Sequence, residues 1–233
     1  MMKKFILILL LTGLVLTVAA CGIFNTQSEI QPPLKKLGKP APLLAAFFPQ
    51  QKGVTWFYEG FAEYAHQMTL ISRADNRRNA RILQQITGRV ADISEGESRR
   101  NFNFRIQYLF TPTSVFERII QADTPFPHRI KNPRLLTLPL KKGRRWRQQV
   151  TVDGKKAELT AEIIKVEPKK IFAKPVDTVT VRYRVPMKNM PGGVYEEIRV
   201  FAKGLGVYSF ENTFGPNEGE RFNYILRRVE MKK

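Results

Sequence analysis

From Gly53 onward, apolar and polar residues alternate one by one along much of the chain, and this period of two is the strongest constraint on the fold. Successive side chains of a strand point to opposite faces of a sheet, so the pattern predicts strands with one apolar and one polar face. Helical patterns are few, which predicts an all-β protein with minor α content. The apolar series are Phe102, Phe104, Ile106, Tyr108 and Phe110; Val179, Val181, Tyr183 and Val185; Ile198 and Val200; and Phe222, Tyr224 and Leu226.

A sheet of this size has to cover its apolar face. The 233 residues, 43% of them hydrophobic, suffice for the core of one large domain. Turn-forming residues separate about ten predicted antiparallel strands, and Asp153-Gly154 is the clearest hairpin turn among them. The proline-rich tract from Thr124 to Thr137 fits no regular element. We therefore expect one large curved antiparallel sheet, forming a half-barrel or an open barrel.

The N-terminus has the pattern of a cleavable export signal. Lys3 and Lys4 precede the apolar segment Phe5–Ala20, which ends in small residues. A retained transmembrane helix is the alternative, but the apolar run is short for the roughly 20 residues that span a bilayer. Residues 1–20 are therefore predicted to form a signal helix that is removed.

The residues before the only cysteine carry more specific information. Val18-Ala19-Ala20-Cys21 resembles a lipobox, the motif at which bacterial lipoproteins are processed. The resemblance implies that the Cys21 thiol receives a diacylglycerol and that a peptidase cuts between Ala20 and Cys21. A single cysteine excludes an internal disulfide and a cysteine-based metal site.

The segment after the lipobox is predicted to be a tether. Residues 21–46 contain Pro32, Pro33, Pro40 and Pro42, which favour a semi-extended chain, and several lysines that could attract anionic lipid. A solvated linker without a specific role for these charges is the alternative. Leu43–Phe48 could form one helical turn at its end, and the β domain is predicted to cover residues 47–233.

One phrase occurs twice in this domain. Pro-x-x-Lys-Gly-x-x-Trp is found in residues 48–56 and again in residues 138–146, and it uses both tryptophans of the chain. Glycine permits a positive φ in a turn, and we expect the tryptophan to begin a strand with its ring facing the core. Two related halves, 47–137 and 138–233, would explain the repetition; chance similarity is the alternative.

These phrases carry a further resemblance. Together with Phe201-Ala202-Lys203-Gly204-Leu205-Gly206-Val207-Tyr208 they resemble a group of small bacterial envelope lipoproteins, similar in design to the half-barrel lipoprotein carriers. The resemblance implies a curved sheet with an apolar concave side that holds an apolar or amphipathic ligand such as a lipid. Candidate lining residues, for which core packing is the alternative role, are Trp56, Phe104, Tyr108, Trp146 and Val181.

The chain is strongly basic, with 39 lysines and arginines against 20 acidic residues and a net charge of +19. Because the chain is exported, we expect no nucleic-acid partner. An envelope protein or an anionic wall polymer is the alternative to an apolar ligand. Solubility and protection of strand edges would also explain the charge. The candidate residues, called the basic rim below, are Lys141, Lys142, Arg144 and Arg145.

No motif for catalysis is evident. His66 and His128 lack a metal-ligand spacing and are expected to be surface or partly buried residues. The sequence thus predicts no enzymatic activity, no metal and no cofactor apart from the lipid on Cys21. It predicts a monomer that is exported and anchored to the outside of the cell membrane, or to an outer-membrane leaflet where the host has one.

Overall fold

The computed structural model describes residues 42–76, 78, 80–91, 102–123, 128–213 and 220–231. The predicted signal helix, the lipobox and the tether up to residue 41 lie outside these residues. No helix within the described ranges has the length and apolarity that crossing a membrane requires.

Thirteen strands make up nearly all regular structure in the described residues, together with one helical turn, α1 (Pro42–Ala45). The strands are β1 (Val54–Gly60), β2 (Ala65–Asn76), β3 (Arg81–Val90), β4 (Asn103–Phe110), β5 (Ser114–Ala122), β6 (Ile130–Lys131), β7 (Arg134–Thr137), β8 (Arg145–Val152), β9 (Lys155–Ile171), β10 (Lys174–Pro186), β11 (Val194–Ala202), β12 (Gly206–Thr213) and β13 (Arg221–Met231).

All thirteen strands belong to one antiparallel sheet that curls into a half-barrel, which confirms the predicted fold class. The order is β6-β8-β9-β10-β11-β12-β13-β1-β2-β3-β4-β5-β7, so two meanders join where β13 pairs with β1. The prediction of about ten strands was too low, partly because the tract expected to be irregular contains the short strands β6 and β7.

The curl of the sheet brings β1 into contact with the start of β12, although β13 lies between these two strands in the sheet order. The Trp56 indole on β1 donates to the Leu205 carbonyl over 2.7 Å, and the Tyr58 hydroxyl donates to the Val207 carbonyl over 2.8 Å. At the sheet edges, β6 pairs with β8 while β7, two residues later, pairs with β5. Residues 128–137, the closing segment, therefore bridge the two edges of the sheet.

The predicted apolar faces of three strands are confirmed. The alternating side chains of β4, β10 and β13 are buried at nearly every predicted position. β11 corrects the prediction in part: Val200 is buried as expected, but Ile198 is only partly buried, and Glu197 and Arg199 point inward and are fully buried. Periodicity shows that two faces alternate, but it cannot show that buried ion pairs make the polar face the inner one.

The residues before β1 are part of the core. Leu44, Phe47 and Phe48 are buried, and Gln84 donates from its side chain to the Pro49 carbonyl over 2.7 Å. Residues 42–50, the leading segment, thus cover one end of the half-barrel. The folded body begins before residue 47, the predicted start of the β domain.

The local geometry predicted for the repeated phrase is present in both copies. Gly53 and Gly143 have φ values of 89° and 83°, and Trp56 and Trp146 are buried near the start of β1 and β8. The Asp153-Gly154 hairpin is confirmed between β8 and β9, with both residues at positive φ.

Candidate functional site

The structure places all five predicted lining residues in the buried core. Trp56, Phe104, Tyr108, Trp146 and Val181 belong to one hydrophobic cluster and have little contact with solvent. At these positions the concave side of the sheet is filled by the protein's own side chains. They belong to the packed interior, which is the alternative role considered from the sequence.

Ionised side chains lie inside this interior. The fully buried Arg199 on β11 donates to Glu197 on the same strand over 2.6 Å and to Glu117 on β5 over 3.0 Å. Since β5 and β11 lie far apart in the sheet order, the contact between Arg199 and Glu117 ties the two meanders together across the interior.

His128 extends this network from the closing segment. Its Nδ1 lies 3.2 Å from Glu117 and its Nε2 lies 2.5 Å from the Tyr224 hydroxyl. Burial lowers the pKa of His128. A neutral ring donates from Nδ1 to the carboxylate and accepts at Nε2 from the tyrosine, which satisfies both nitrogens. We call Arg199, Glu117, Glu197, His128 and Tyr224 the buried charge network.

The electrostatics of Glu117 show what holds this network. Burial alone would raise the pKa of a carboxyl group, but the charge of Arg199, reinforced by hydrogen bonds from His128 and Arg199, lowers the pKa of Glu117 to about 2. All five side chains are buried. In this conformation the network therefore holds β5, β11, β13 and the closing segment together.

The sequence reasoning missed this network. It expected His66 and His128 to be surface or partly buried, and both are buried, with His66 stacked on the Tyr58 ring at 4.4 Å. Desolvation lowers the pKa of His66. The Glu-x-Arg pattern of Glu197 and Arg199 was the available signal, but it becomes recognisable only once its distant partner Glu117 is known.

The basic rim lies at the start of β8. Lys141, Lys142 and Arg145 are exposed, and Arg144 is partly buried. Backbone hydrogen bonds fix the turn, because Gly143 donates to the Ile163 carbonyl over 2.8 Å. Arg145 is paired with Glu162 at 3.2 Å, so its charge is partly neutralised.

Arg134 on β7 adds a further charge beside the rim. Its guanidinium lies over the Phe116 ring at 5.5 Å. Burial and the nearby charge of Arg144 lower the pKa of Arg134. In the described part of the chain, the Nε atoms of Arg134 and Arg144 are buried without a hydrogen-bond partner. Two like charges are thus near enough to repel each other.

A second basic surface is better neutralised. A cleft of about 650 Å³ lies along β13, β1, β2 and β3. Arg228 covers the Phe57 ring at 4.2 Å and pairs with Glu230, and Arg227 pairs with Glu59 at 3.2 Å. Because Arg227 and Arg228 already have acidic partners, these two cleft arginines are less available to an anion than the rim.

Comparison with known proteins identifies the fold. No protein-family model and no curated protein matches the chain. Two solved structures resemble it, each with a TM-score of 0.51 and 12% identity, over 79% of this chain and 98% of theirs. One is a Bacteroides fragilis protein described as exported and as having a YmcC-like fold; the other is a Parabacteroides distasonis protein described as a lipoprotein. At this identity the likeness establishes a shared fold, the one named YmcC-like in the first protein.

Proposed function

We propose that this protein is an exported lipoprotein, anchored through Cys21, that binds an anionic polymer of the cell envelope at its basic rim without catalysing a reaction. The anchor is supported by the lipobox Val18-Ala19-Ala20-Cys21, and the two structures of the same fold are described as exported and as a lipoprotein. Two acyl chains on one cysteine would give a stable anchor.

The binding proposal rests on Arg134 and Arg144, whose Nε atoms have no hydrogen-bond partner in the described part of the chain. Lys141 and Lys142 lie close to Arg144 in the sequence and are exposed. An anionic group bound there would relieve the repulsion between two guanidiniums and accept hydrogen bonds from them. The filled concave side argues against an apolar ligand at the predicted lining positions.

The anchor gives a direct prediction. Replacing Cys21→Ser removes the thiol that forms the thioether, so the chain is expected to lose labelling by radioactive palmitate and to leave the membrane fraction. Metabolic labelling followed by membrane fractionation measures both. Labelling that persists in the variant would contradict lipidation at Cys21, since the chain has no other cysteine.

The rim gives a second prediction. The triple variant Lys141→Ala, Lys142→Ala, Arg144→Ala is expected to weaken binding of the mature protein to polygalacturonate or polyphosphate by about tenfold or more. Binding of the unchanged protein should also weaken steeply as sodium chloride is raised through about 0.15 M, because salt screens exposed charges. Isothermal titration calorimetry at several salt concentrations measures both effects.

A charge-matched control separates the rim from net charge. The variant Lys155→Ala, Lys156→Ala, Lys188→Ala also removes three positive charges, all of them exposed and outside the rim. It should bind both polymers as the unchanged protein does. Equal losses in the two variants would show non-specific attraction, and a lipid extracted at near one per protein would favour an apolar ligand instead. A rim-dependent crosslink to an envelope protein would make that protein the partner.

A further inference from the structure

The β9–β10 hairpin extends beyond the rest of the sheet. β9 and β10 pair with each other from the turn, at Ile171↔Lys174, to Thr160↔Arg184. The pairing of β10 with β11 begins farther from the turn, at Thr178↔Ala202. On the other side, β8 pairs with β9 only as far as Glu162. Residues 164–177 therefore form a two-stranded ribbon that no third strand of the described chain pairs with.

The end of this ribbon is basic and carries an exposed aromatic ring. Residues 168–176, the hairpin tip, contain Lys169, Lys170 and Lys174 and no acidic residue. Phe172 is 49% exposed at the turn, whereas its neighbour Ile171 is buried. The nearest acidic residues, Glu167 and Asp177, already pair with Lys165 and Lys203. The three lysines of the tip are thus left for an external anion.

The two residues of the turn adopt a backbone conformation that is unfavourable for their side chains. Phe172 and Ala173 both have positive φ, at 48° and 64°. The other two-residue hairpin of this kind uses Asp153-Gly154, which tolerates the same backbone better. A bulky apolar residue in the left-handed region is costly, and such local strain is commonly found at functional positions.

The hairpin tip lies at the end of the half-barrel where the chain from Cys21 arrives. The Lys203 amide donates to the Asp177 carbonyl over 3.0 Å, and the Gly204 amide donates to the Ala46 carbonyl over 2.7 Å. The base of the ribbon is thereby next to the leading segment. The 21 steps along the chain from Cys21 to Pro42 span at most about 75 Å when extended. A lipid on Cys21 would therefore leave this end of the body within reach of the bilayer surface.

We propose that the hairpin tip binds the surface of a membrane that contains anionic lipid. Its three lysines contact the headgroups, and the Phe172 ring enters the interface between headgroups and acyl chains. This contact rests on the proposed anchor at Cys21 but not on the polymer bound at the rim. Lysines near an anionic leaflet strengthen binding by about fivefold each, so the three together contribute about a hundredfold.

The test uses the lipidated protein in vesicles with brominated acyl chains, which quench tryptophan inside the bilayer. Trp56 and Trp146 are buried in the protein, so the unchanged chain gives the background. In vesicles of phosphatidylcholine with phosphatidylglycerol, Phe172→Trp is expected to add a tryptophan signal that is quenched. Quenching should fall to background when Lys169, Lys170 and Lys174 are also changed to Glu, or when phosphatidylglycerol is left out.

Phe61→Trp is the matched control. Phe61 is 55% exposed and follows β1 at the opposite end from the leading segment, so a tryptophan there should stay unquenched. Protein that floats with the vesicles while both introduced tryptophans are unquenched would overturn the membrane contact alone. Protein that floats in no variant would overturn the anchor and the contact together. The rim variant with Lys141 and Lys142 changed should keep the quenching, which separates this contact from polymer binding.

Discussion

Replacing Arg199→Met is expected to lower the free energy of unfolding by about 3–5 kcal/mol, because it leaves two carboxylates buried without their cation. Glu117 and Glu197 both lie within 3.0 Å of the guanidinium and have fully buried side chains. Methionine matches the length of the aliphatic stem but cannot offset the charge. The remaining carboxylates must then take up protons or draw water into the interior, and either response disrupts the contact between β5 and β11.

Urea unfolding of the mature protein, followed by tryptophan fluorescence, measures this loss. Arg182→Met is the matched control, since Arg182 lies on the neighbouring strand, is 30% exposed and pairs with Glu162 at 3.3 Å. Its loss should be under about 1 kcal/mol, as for other surface ion pairs. A stability of Arg199→Met equal to that of the control would mean that the two carboxylates are not ionised in the folded protein.

The parts of the fold that could be predicted are those where the apolar side of a strand is the buried side. On β10, Val181 and Tyr183 alternate with Arg182 and Arg184, and the apolar pair is buried as expected. Alternation of this kind is local information, so a single stretch of sequence is enough to identify the strand. The two-residue turn Asp153-Gly154 was predictable for the same reason.

The buried charge network could not be predicted because its partners are far apart in the chain. On β11, Glu197 and Arg199 have the polar character of an outer face, yet they are buried. Only their partner Glu117 explains this, and it lies 82 residues before Arg199 in sequence. A long-range ion pair leaves no periodic signal, and its existence follows from the curl of the whole sheet.

The leading segment poses a different difficulty, since its first residues, 42–46, belong to the region whose composition predicted a tether. Composition favours an extended chain there, but three apolar residues, Leu44, Phe47 and Phe48, are enough to fix its last turn on the open end of the half-barrel. The backbone is held as well, because Gly206 donates to the Phe47 carbonyl over 2.7 Å. Burial of a few large side chains thus outweighs the preference of the surrounding residues for an extended chain.

Phe48→Ala measures how much the leading segment contributes to the stability of the body. The ring of Phe48 lies 5.0 Å from that of Tyr108, 5.2 Å from Phe110 and 6.0 Å from Phe201, so its removal leaves a cavity among aromatic side chains. A loss of about 3–5 kcal/mol in the free energy of unfolding is expected. Urea unfolding of the mature protein measures it.

Leu43→Ala supplies the comparison, because Leu43 is 50% exposed on α1 in the same leading segment and should change stability by less than about 0.5 kcal/mol. Equal, small effects of the two substitutions would mean that the segment behaves as the tether expected from its composition. A large effect of Phe48→Ala alone would mean that the membrane tether ends before this residue. The end of the half-barrel next to the base of the ribbon would then be covered by the leading segment, so the folding of the sheet would depend on residues that directly follow the tether.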